Sequence, residues 1–238
     1  MNPSATVYVG FDSSNIGQKI AYEVCERSIR KYNSDINIVP LKLSELRDEG
    51  FTREHDINQS TEFTYTRFLA PYLNEYKGYA IFCDSDFLWK CNIMNLLQYI
   101  DKTQSVACVH HKYTKCISST KMDGLKQEWY PRKNWSSLMV FNCEHKDCSN
   151  LTLDTINTQS PKYLHRMEWT SDNYIGSIPI EYNYLLGYYN FSDNPKALHY
   201  TDGGPWHQDY VNIEYADDWL DCLTEKEFQQ FKNGDFWE

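Results

Sequence analysis

The chain has 238 residues, 16% of them aromatic, and a formal net charge of -10 at pH 7. A surface that acidic repels nucleic-acid phosphates and anionic lipid headgroups, which argues against nucleic-acid or membrane-surface partners. No apolar run approaches the ~20 residues of a membrane-spanning helix, and the N-terminus lacks the basic and apolar segments of a signal peptide. We therefore expect a cytoplasmic protein with a single domain over residues 1–238.

The start of the chain has the pattern of a parallel α/β sheet. Residues 5–11 alternate and are rich in β-branched and aromatic types, which predicts a strand. Residues 16–32 predict an amphipathic helix, and residues 36–41 predict a second strand. This order of strand, loop, helix and strand is the usual opening of such a sheet.

The elements continue to alternate downstream. After a polar, charged stretch over 44–59, a helix is predicted over 60–70, capped by Ser60 and bent or ended by Pro71. The almost wholly apolar run 79–83 predicts a strand buried on both faces. The remaining patterns predict a helix over 94–100, strands over 105–110 and 137–142, and a polar lid or acceptor loop over 112–133.

The eight cysteines agree with a reducing compartment. Most fall inside apolar runs, as Cys83 and Cys108 do, which predicts free buried thiols. Cys143, His145 and Cys148 offer an alternative as zinc ligands, but no second pair at matching spacing accompanies them.

Two aspartates carry the sharpest chemical signal. Asp84 and Asp86 directly follow the apolar run 79–83, and ligands of open α/β sheets collect beyond the carboxyl ends of strands. Two carboxylates placed there repel each other unless a cation lies between them. Hard oxygen ligands suit Mn²⁺ or Mg²⁺, which would neutralise charge on a leaving phosphate. An exposed surface turn is the alternative interpretation of the same motif.

Two further motifs have chemical meaning. Arg67 stands in an aromatic, mostly uncharged segment, where it could bind a diphosphate or sugar as a fork of donors, or pair with Glu62 on the surface. His199 follows a short apolar run and precedes Gly203 and Gly204, whose backbone amides could approach a phosphate closely. A purely structural hydrogen bond is the alternative for this histidine.

In combination, these motifs resemble the GT-A glycosyltransferases of family 8, the retaining group that contains glycogenin and bacterial lipopolysaccharide sugar transferases. Arg67 precedes Asp84 by 17 positions, close to the family's separation of these residues. Small bacterial and phage-type members are the most similar, since they share Ser-Thr-Glu-Phe before the arginine and His-x-x-Asp-Gly-Gly-Pro-Trp near the end. The resemblance implies one GT-A domain with a mostly parallel sheet, a donor-binding half over about residues 1–110 and an acceptor half over 111–238.

The resemblance also implies roles for individual positions. Asp84, Asp86 and His199 match the three metal ligands, and Asp172 and Arg67 match positions that act near the reacting sugar. The donor nucleotide sugar, a UDP-sugar by resemblance, is expected to contact Gly10, Phe11, Asp12, Ser13, Ser14, Arg67, Ser85, Gly203 and Gly204. The diphosphate-binding lysine that commonly follows the His motif is absent here.

The implied activity is the metal-dependent transfer of a hexose to a saccharide or other hydroxyl acceptor, with retention of configuration. A Mg²⁺-dependent nucleotidyltransferase is one alternative, although residues 10–17 lack the basic, Gly-rich phosphate loop that such enzymes usually have. A non-catalytic carbohydrate-binding protein is the other, favoured by 19 Tyr and 7 Trp.

Overall fold

A six-stranded sheet lies at the centre of the computed structural model, which describes residues 5–55, 59–112, 131–189 and 194–237. The nine strands are β1 Ala5–Gly10, β2 Ile38–Leu41, β3 Tyr79–Cys83, β4 Phe87–Trp89, β5 Val106–Val109, β6 Leu138–Asn142, β7 Ile175–Ile178, β8 Tyr184–Leu185 and β9 Ala197–His199. The central sheet has the order β2-β1-β3-β6-β5-β7, and a smaller sheet has the order β4-β9-β8.

Five of the six central strands run in one direction. β1 pairs in parallel with β2 and β3, and β5 pairs in parallel with β7. Only β6 is reversed, since it pairs antiparallel with both β3 and β5. The predicted α/β class with a mostly parallel central sheet is therefore confirmed.

Helices flank this sheet. Their bounds are α1 Ile16–Arg30, α2 Leu43–Asp48, α3 Ala70–Leu73, α4 Leu153–Thr158, α5 Pro161–His165, α6 Ala216–Leu220 and α7 Glu225–Asn233. The longest, α1, begins at Asn15, whose side chain accepts a hydrogen bond from the amide of Gln18. Its apolar residues recur at helical spacing, so that Ile20, Val24 and Ile29 are buried.

The core lies on both faces of the central sheet. Along β3, Ile81 and Cys83 belong to a cluster shared with α1, whereas Ala80 and Phe82 belong to a cluster shared with the segment around Phe68. Successive side chains of a strand point to opposite faces, so an unbroken apolar run is what a strand covered on both sides requires. The predicted double burial of this strand is confirmed.

The helix predicted over 60–70 is wrong, and the observed helix α2 is not predicted. Residues 60–70 form turns and a 3-10 helix over Thr66–Leu69, and Pro71 lies in the first turn of α3 instead of ending a helix. Three threonines in the segment disfavour a regular helix through their β-branched side chains, whereas the fixed φ of proline suits a first turn. The polar, charged stretch over 44–59, for which no element is predicted, contains most of α2. The helix predicted over 94–100 is a 3-10 helix over Ile93–Tyr99.

The described cysteines agree with the expected free thiols. Seven are free, and Cys25, Cys83, Cys108, Cys143 and Cys148 are buried. Within residues 5–55, 59–112, 131–189 and 194–237, no helix has the length and apolar character needed to cross a membrane. Most of the predicted lid or acceptor loop, residues 113–130, lies outside the described residues.

Candidate metal and donor site

Strand pairing brings the predicted metal ligands together. Asp84 and Asp86 lie in the short link between β3 and β4, and β4 pairs antiparallel with β9 so that Phe87 faces His199. The amide of Tyr200 donates to the carbonyl of Asp86 over 3.0 Å, which continues the pairing into the link. The histidine therefore reaches the aspartates because the smaller sheet joins two segments that are distant in the chain.

The three side chains form a compact group. One ligand atom from each of Asp84, Asp86 and His199 lies within 4.8 Å of the others, and no other such group of three occurs among the described residues. His199 Nε2 lies 3.3 Å from Asp86 Oδ1. The imidazole is buried and stacks on Phe87 with ring centroids 4.4 Å apart. Two carboxylates with one imidazole suit a divalent cation such as Mn²⁺ or Mg²⁺.

The polar atoms at this site fit such a cation. Asp86 Oδ1 is buried, and it accepts no hydrogen bond from the part of the chain that the structure describes. Ser85 Oγ beside it is also buried without a described hydrogen-bond partner. Buried acceptors are almost always satisfied, so a carboxylate oxygen in this state indicates a cation site.

Arg67 is buried against Asp84. Its Nη1 lies 2.9 Å from Asp84 Oδ1 and donates to the carbonyl of Ser136 over 2.9 Å, while Nε donates to the carbonyl of Phe63. The alternative surface pairing with Glu62 is therefore wrong. Nη2 has no hydrogen-bond partner among the described residues, and it is the part of the guanidinium that remains for a ligand.

The loop after β1 is fastened to the segment that leads to Arg67. Asp12 is buried, and its Oδ1 and Oδ2 accept the backbone amides of Ser14 and Glu62 over 2.9 and 3.2 Å. The Glu62 carboxylate accepts the amide and the hydroxyl of Ser13 over 3.0 and 2.9 Å. Both acids hold the loop in shape, and the expected contact of Asp12 with a nucleoside stays a prediction.

Gly10 and Phe11 begin this loop, and Gly10 allows the close approach of an aromatic ring. A Cβ added at Gly10 would lie 2.6 Å from the ring of Phe63, and Phe11 packs edge-on against Tyr22 at 5.2 Å. A packed phenyl ring cannot move aside without a loss of packing energy.

We expect Gly10→Ala to lower the free energy of unfolding by about 1–3 kcal/mol, measured by urea denaturation. Gly78→Ala has open space around its Cβ but a positive φ of 58°, so a comparable loss there would show backbone strain instead of a clash.

One amide of the glycine pair already has an acceptor within the fold. The amide of Gly203 donates to the carbonyl of Tyr200 over 2.8 Å, at a φ of 138° that favours glycine. A Cβ on Gly204 would clash with the ring of Trp206, so packing requires this glycine. The contact of both amides with a phosphate stays a prediction, and the bond from Gly203 to Tyr200 gives its own amide no support.

Asp172 is not brought to this group. It lies in a 3-10 turn before β7, and the parallel pairing of β7 with β5 places that turn towards the end of the sheet opposite Asp84. Its carboxylate is 79% exposed and pairs with Arg132 over 2.6 Å. Its role near the sugar stays a prediction, and its position gives that role no support.

Other buried polar residues near the metal group were not marked by any motif. His111 is buried, with Nδ1 2.6 Å from the hydroxyl of Tyr189, and burial together with the neighbouring His199 lowers the pKa of His111 to about 3. Asn183 is fully buried and contacts His199. No local sequence signal distinguishes these residues from ordinary polar positions.

Comparison with known proteins places the chain in a family. No protein-family model matches it. Protein CDI of Arabidopsis thaliana is 41% identical over 236 residues, a match that covers 96% of this chain and 90% of the relative. The chain belongs to the protein CDI family. This relative comes from a plant, whereas the sequence motifs resemble those of small bacterial and phage-type proteins. A bacterial or phage-type origin of the present chain therefore stays a prediction.

Solved structures with the same fold as this member of the CDI family are glycosyltransferases of the GT-A type. The galactosyltransferase LgtC, described in complex with donor and acceptor sugar analogues, has a TM-score of 0.58 at 12% identity, with 95% of this chain and 99% of LgtC covered. The bifunctional glycosyltransferase WbbM has a TM-score of 0.65 at 18% identity, and GlyE of Streptococcus pneumoniae one of 0.62 at 14%. These matches cover 98% and 97% of this chain, which spans 52% of WbbM and 63% of GlyE. At these identities the likeness establishes the GT-A fold.

Proposed function

We propose that the protein is a metal-dependent glycosyltransferase of the family 8 type. It transfers a hexose from a UDP-sugar to a saccharide or other hydroxyl acceptor, with retention of configuration. The observation that carries the proposal is the convergence of Asp84, Asp86 and His199 at the carboxyl end of β3 in a GT-A fold. That end of the sheet is where open α/β folds bind nucleotides.

In this mechanism Asp84, Asp86 and His199 would hold Mn²⁺ or Mg²⁺. When bound, the cation would supply positive charge next to the donor diphosphate. Arg67 fixes Asp84 through the 2.9 Å ion pair and offers Nη2 to the donor. The Gly204 amide, in place of the missing lysine, donates to a donor phosphate.

The loop over residues 10–14 forms the nucleoside end of the proposed site. Glu62 and Asp12 hold its backbone, which leaves the ring of Phe11 half-buried beside the loop. A loop held in one conformation before the donor binds loses less conformational entropy on binding. The donor is therefore positioned by a preformed loop, and positioning supplies much of the rate enhancement.

A thermal-shift screen of nucleotide sugars with and without Mn²⁺ tests the proposal. A ligand present at 100 times its Kd stabilises the native state by about 2.7 kcal/mol, which raises the Tm of a chain of this size by about 5–10 °C. We expect such a shift with a UDP-sugar and Mn²⁺ together, abolished by EDTA. The largest shift identifies the donor, and release of UDP in its presence measures turnover.

The two alternatives give different results in the same screen. A nucleotidyltransferase would respond to a nucleoside triphosphate with Mg²⁺ and release pyrophosphate. A carbohydrate-binding protein would respond to a free saccharide equally well in EDTA. Either pattern, without a metal-dependent response to any nucleotide sugar, would contradict the proposed transferase activity.

A further inference from the structure

We propose that Asn183 is a positioning residue that holds His199 as the tautomer protonated at Nδ1, so that Nε2 keeps its lone pair for a metal. The inference rests on the proposed metal site and deepens it. An imidazole binds a metal only through an unprotonated nitrogen, and the partner of the other ring nitrogen decides which one that is.

A chain of hydrogen bonds leads from the backbone to the imidazole. His199 Nδ1 lies 2.7 Å from Asn183 Oδ1, and Asn183 Nδ2 donates to Ser137 Oγ over 2.9 Å. The Ser137 hydroxyl lies 2.7 Å from the carbonyl oxygen of Asn134. Asn183 is fully buried and Ser137 nearly so, which shields the chain from competing water.

The contact with the carbonyl fixes the direction of the whole chain. A carbonyl can only accept, and a serine hydroxyl has one hydrogen, so Ser137 donates to Asn134 and can only accept from Asn183. The amide nitrogen of Asn183 therefore faces Ser137, and its oxygen faces His199. An oxygen in that position requires a hydrogen on Nδ1. Reversing the amide would leave two acceptors 2.7 Å apart at Ser137 and Asn134.

The consequence lies on the other side of the ring. With the hydrogen on Nδ1, Nε2 carries the lone pair and lies 3.3 Å from Asp86 Oδ1. These two atoms are then both acceptors, and a bound cation would satisfy both. Ser137 also accepts the backbone amide of Asp84 at its own carbonyl over 2.9 Å. One serine thus fixes an aspartate ligand through its backbone and the imidazole through its hydroxyl.

The tautomer can be measured without any metal. In ¹⁵N-histidine NMR at a pH about two units above the usual His pKa of ~6.5, the His199 signal is identified by its loss in His199→Gln. We expect the Nδ1–H tautomer in the wild type and in Asn183→Asp, which keeps the acceptor. We expect a mixture of tautomers in Asn183→Leu, which lacks the acceptor. We also expect a mixture in Ser137→Ala, because the side-chain amide of Asn183 can then rotate and present either its oxygen or its nitrogen to His199 Nδ1. The Nε2–H tautomer in the wild type, or unchanged Nδ1–H in both of the last two variants, would overturn the proposal.

Metal affinity gives the second measurement. Loss of the partner behind a metal-binding histidine typically costs 10–100-fold, so we expect the Mn²⁺ Kd to rise about 10–100-fold in Asn183→Leu and to change little in Asn183→Asp. Asn142 is a matched control, because it is a buried asparagine that donates to the carbonyl of Gln104 at the far end of β6. Asn142→Leu should lower stability and leave the Kd unchanged. If Asn183→Leu does not fold, Ser137→Ala carries both measurements. A wild type that holds Nδ1–H but binds no Mn²⁺ would contradict the proposed function and support the positioning role.

Discussion

Replacing Asp86 by asparagine should abolish metal-dependent transfer while leaving the fold intact. The amide has the shape of the carboxylate, but it has no charge, and its NH₂ group can donate to His199 Nε2, which lies 3.3 Å from Oδ1 in the wild type. That bond satisfies the imidazole and closes the space where a cation would bind. We expect turnover with Mn²⁺ to fall by about 10³-fold, which corresponds to about 4 kcal/mol of lost transition-state stabilisation.

Measurements on Asp86→Asn separate a metal effect from a folding effect. The Mn²⁺-dependent rise in Tm should disappear, while the Tm in EDTA should stay within a few degrees of the wild type. Asp154→Asn is a suitable control, because this exposed aspartate lies in the first turn of α4 and does not belong to the group of metal ligands. Near-wild-type turnover in Asp86→Asn would remove Asp86 from the metal site.

The sequence predicts the central parts of the site because their signals are local. An apolar run followed by two aspartates identifies the end of a buried strand, and β3 begins and ends where that run does. The histidine is recognisable from the glycine turn that follows it. The resemblance to known glycosyltransferases implies that these residues meet. The pairing of Phe87 with His199 that brings them together is encoded by neither local segment alone.

The parts that the sequence does not predict depend on tertiary contacts. Glu62 lies five positions before Arg67 and is its nearest carboxylate in the sequence. In the folded chain, however, Glu62 accepts a hydrogen bond from Ser13, and Arg67 forms an ion pair with Asp84. Asn183 is the last residue of a short 3-10 helix and has no motif around it, so its role is visible only from its contact with Ser137 in the folded chain. The predicted helix over 60–70 fails for a local reason instead, because three threonines in that segment disfavour a regular helix.

Removal of the guanidinium of Arg67 should cause a large loss of stability that metal partly restores. In Arg67→Met the Asp84 carboxylate, only 14% exposed, loses a cation 2.9 Å away, and the carbonyls of Phe63 and Ser136 lose their donor. Removing one partner of a buried ion pair typically costs about 3–5 kcal/mol, because the remaining charge loses that favourable interaction while it stays buried. We expect that loss in urea denaturation with EDTA present.

Mn²⁺ should then stabilise Arg67→Met more than it stabilises the wild type. The cation supplies part of the positive charge that Asp84 has lost, so the gain in unfolding free energy on adding Mn²⁺ should be larger in the variant. Arg53→Met is the matched control, because Arg53 donates to the carbonyls of Ile156 and Gln159 and stacks on Tyr65, and it pairs with no carboxylate among the described residues. Its loss should be about 1–2 kcal/mol, and its response to Mn²⁺ should equal that of the wild type. If Arg67→Met lost under about 1 kcal/mol and responded to Mn²⁺ like the wild type, the ion pair would not govern Asp84, and Arg67 would act only on the donor.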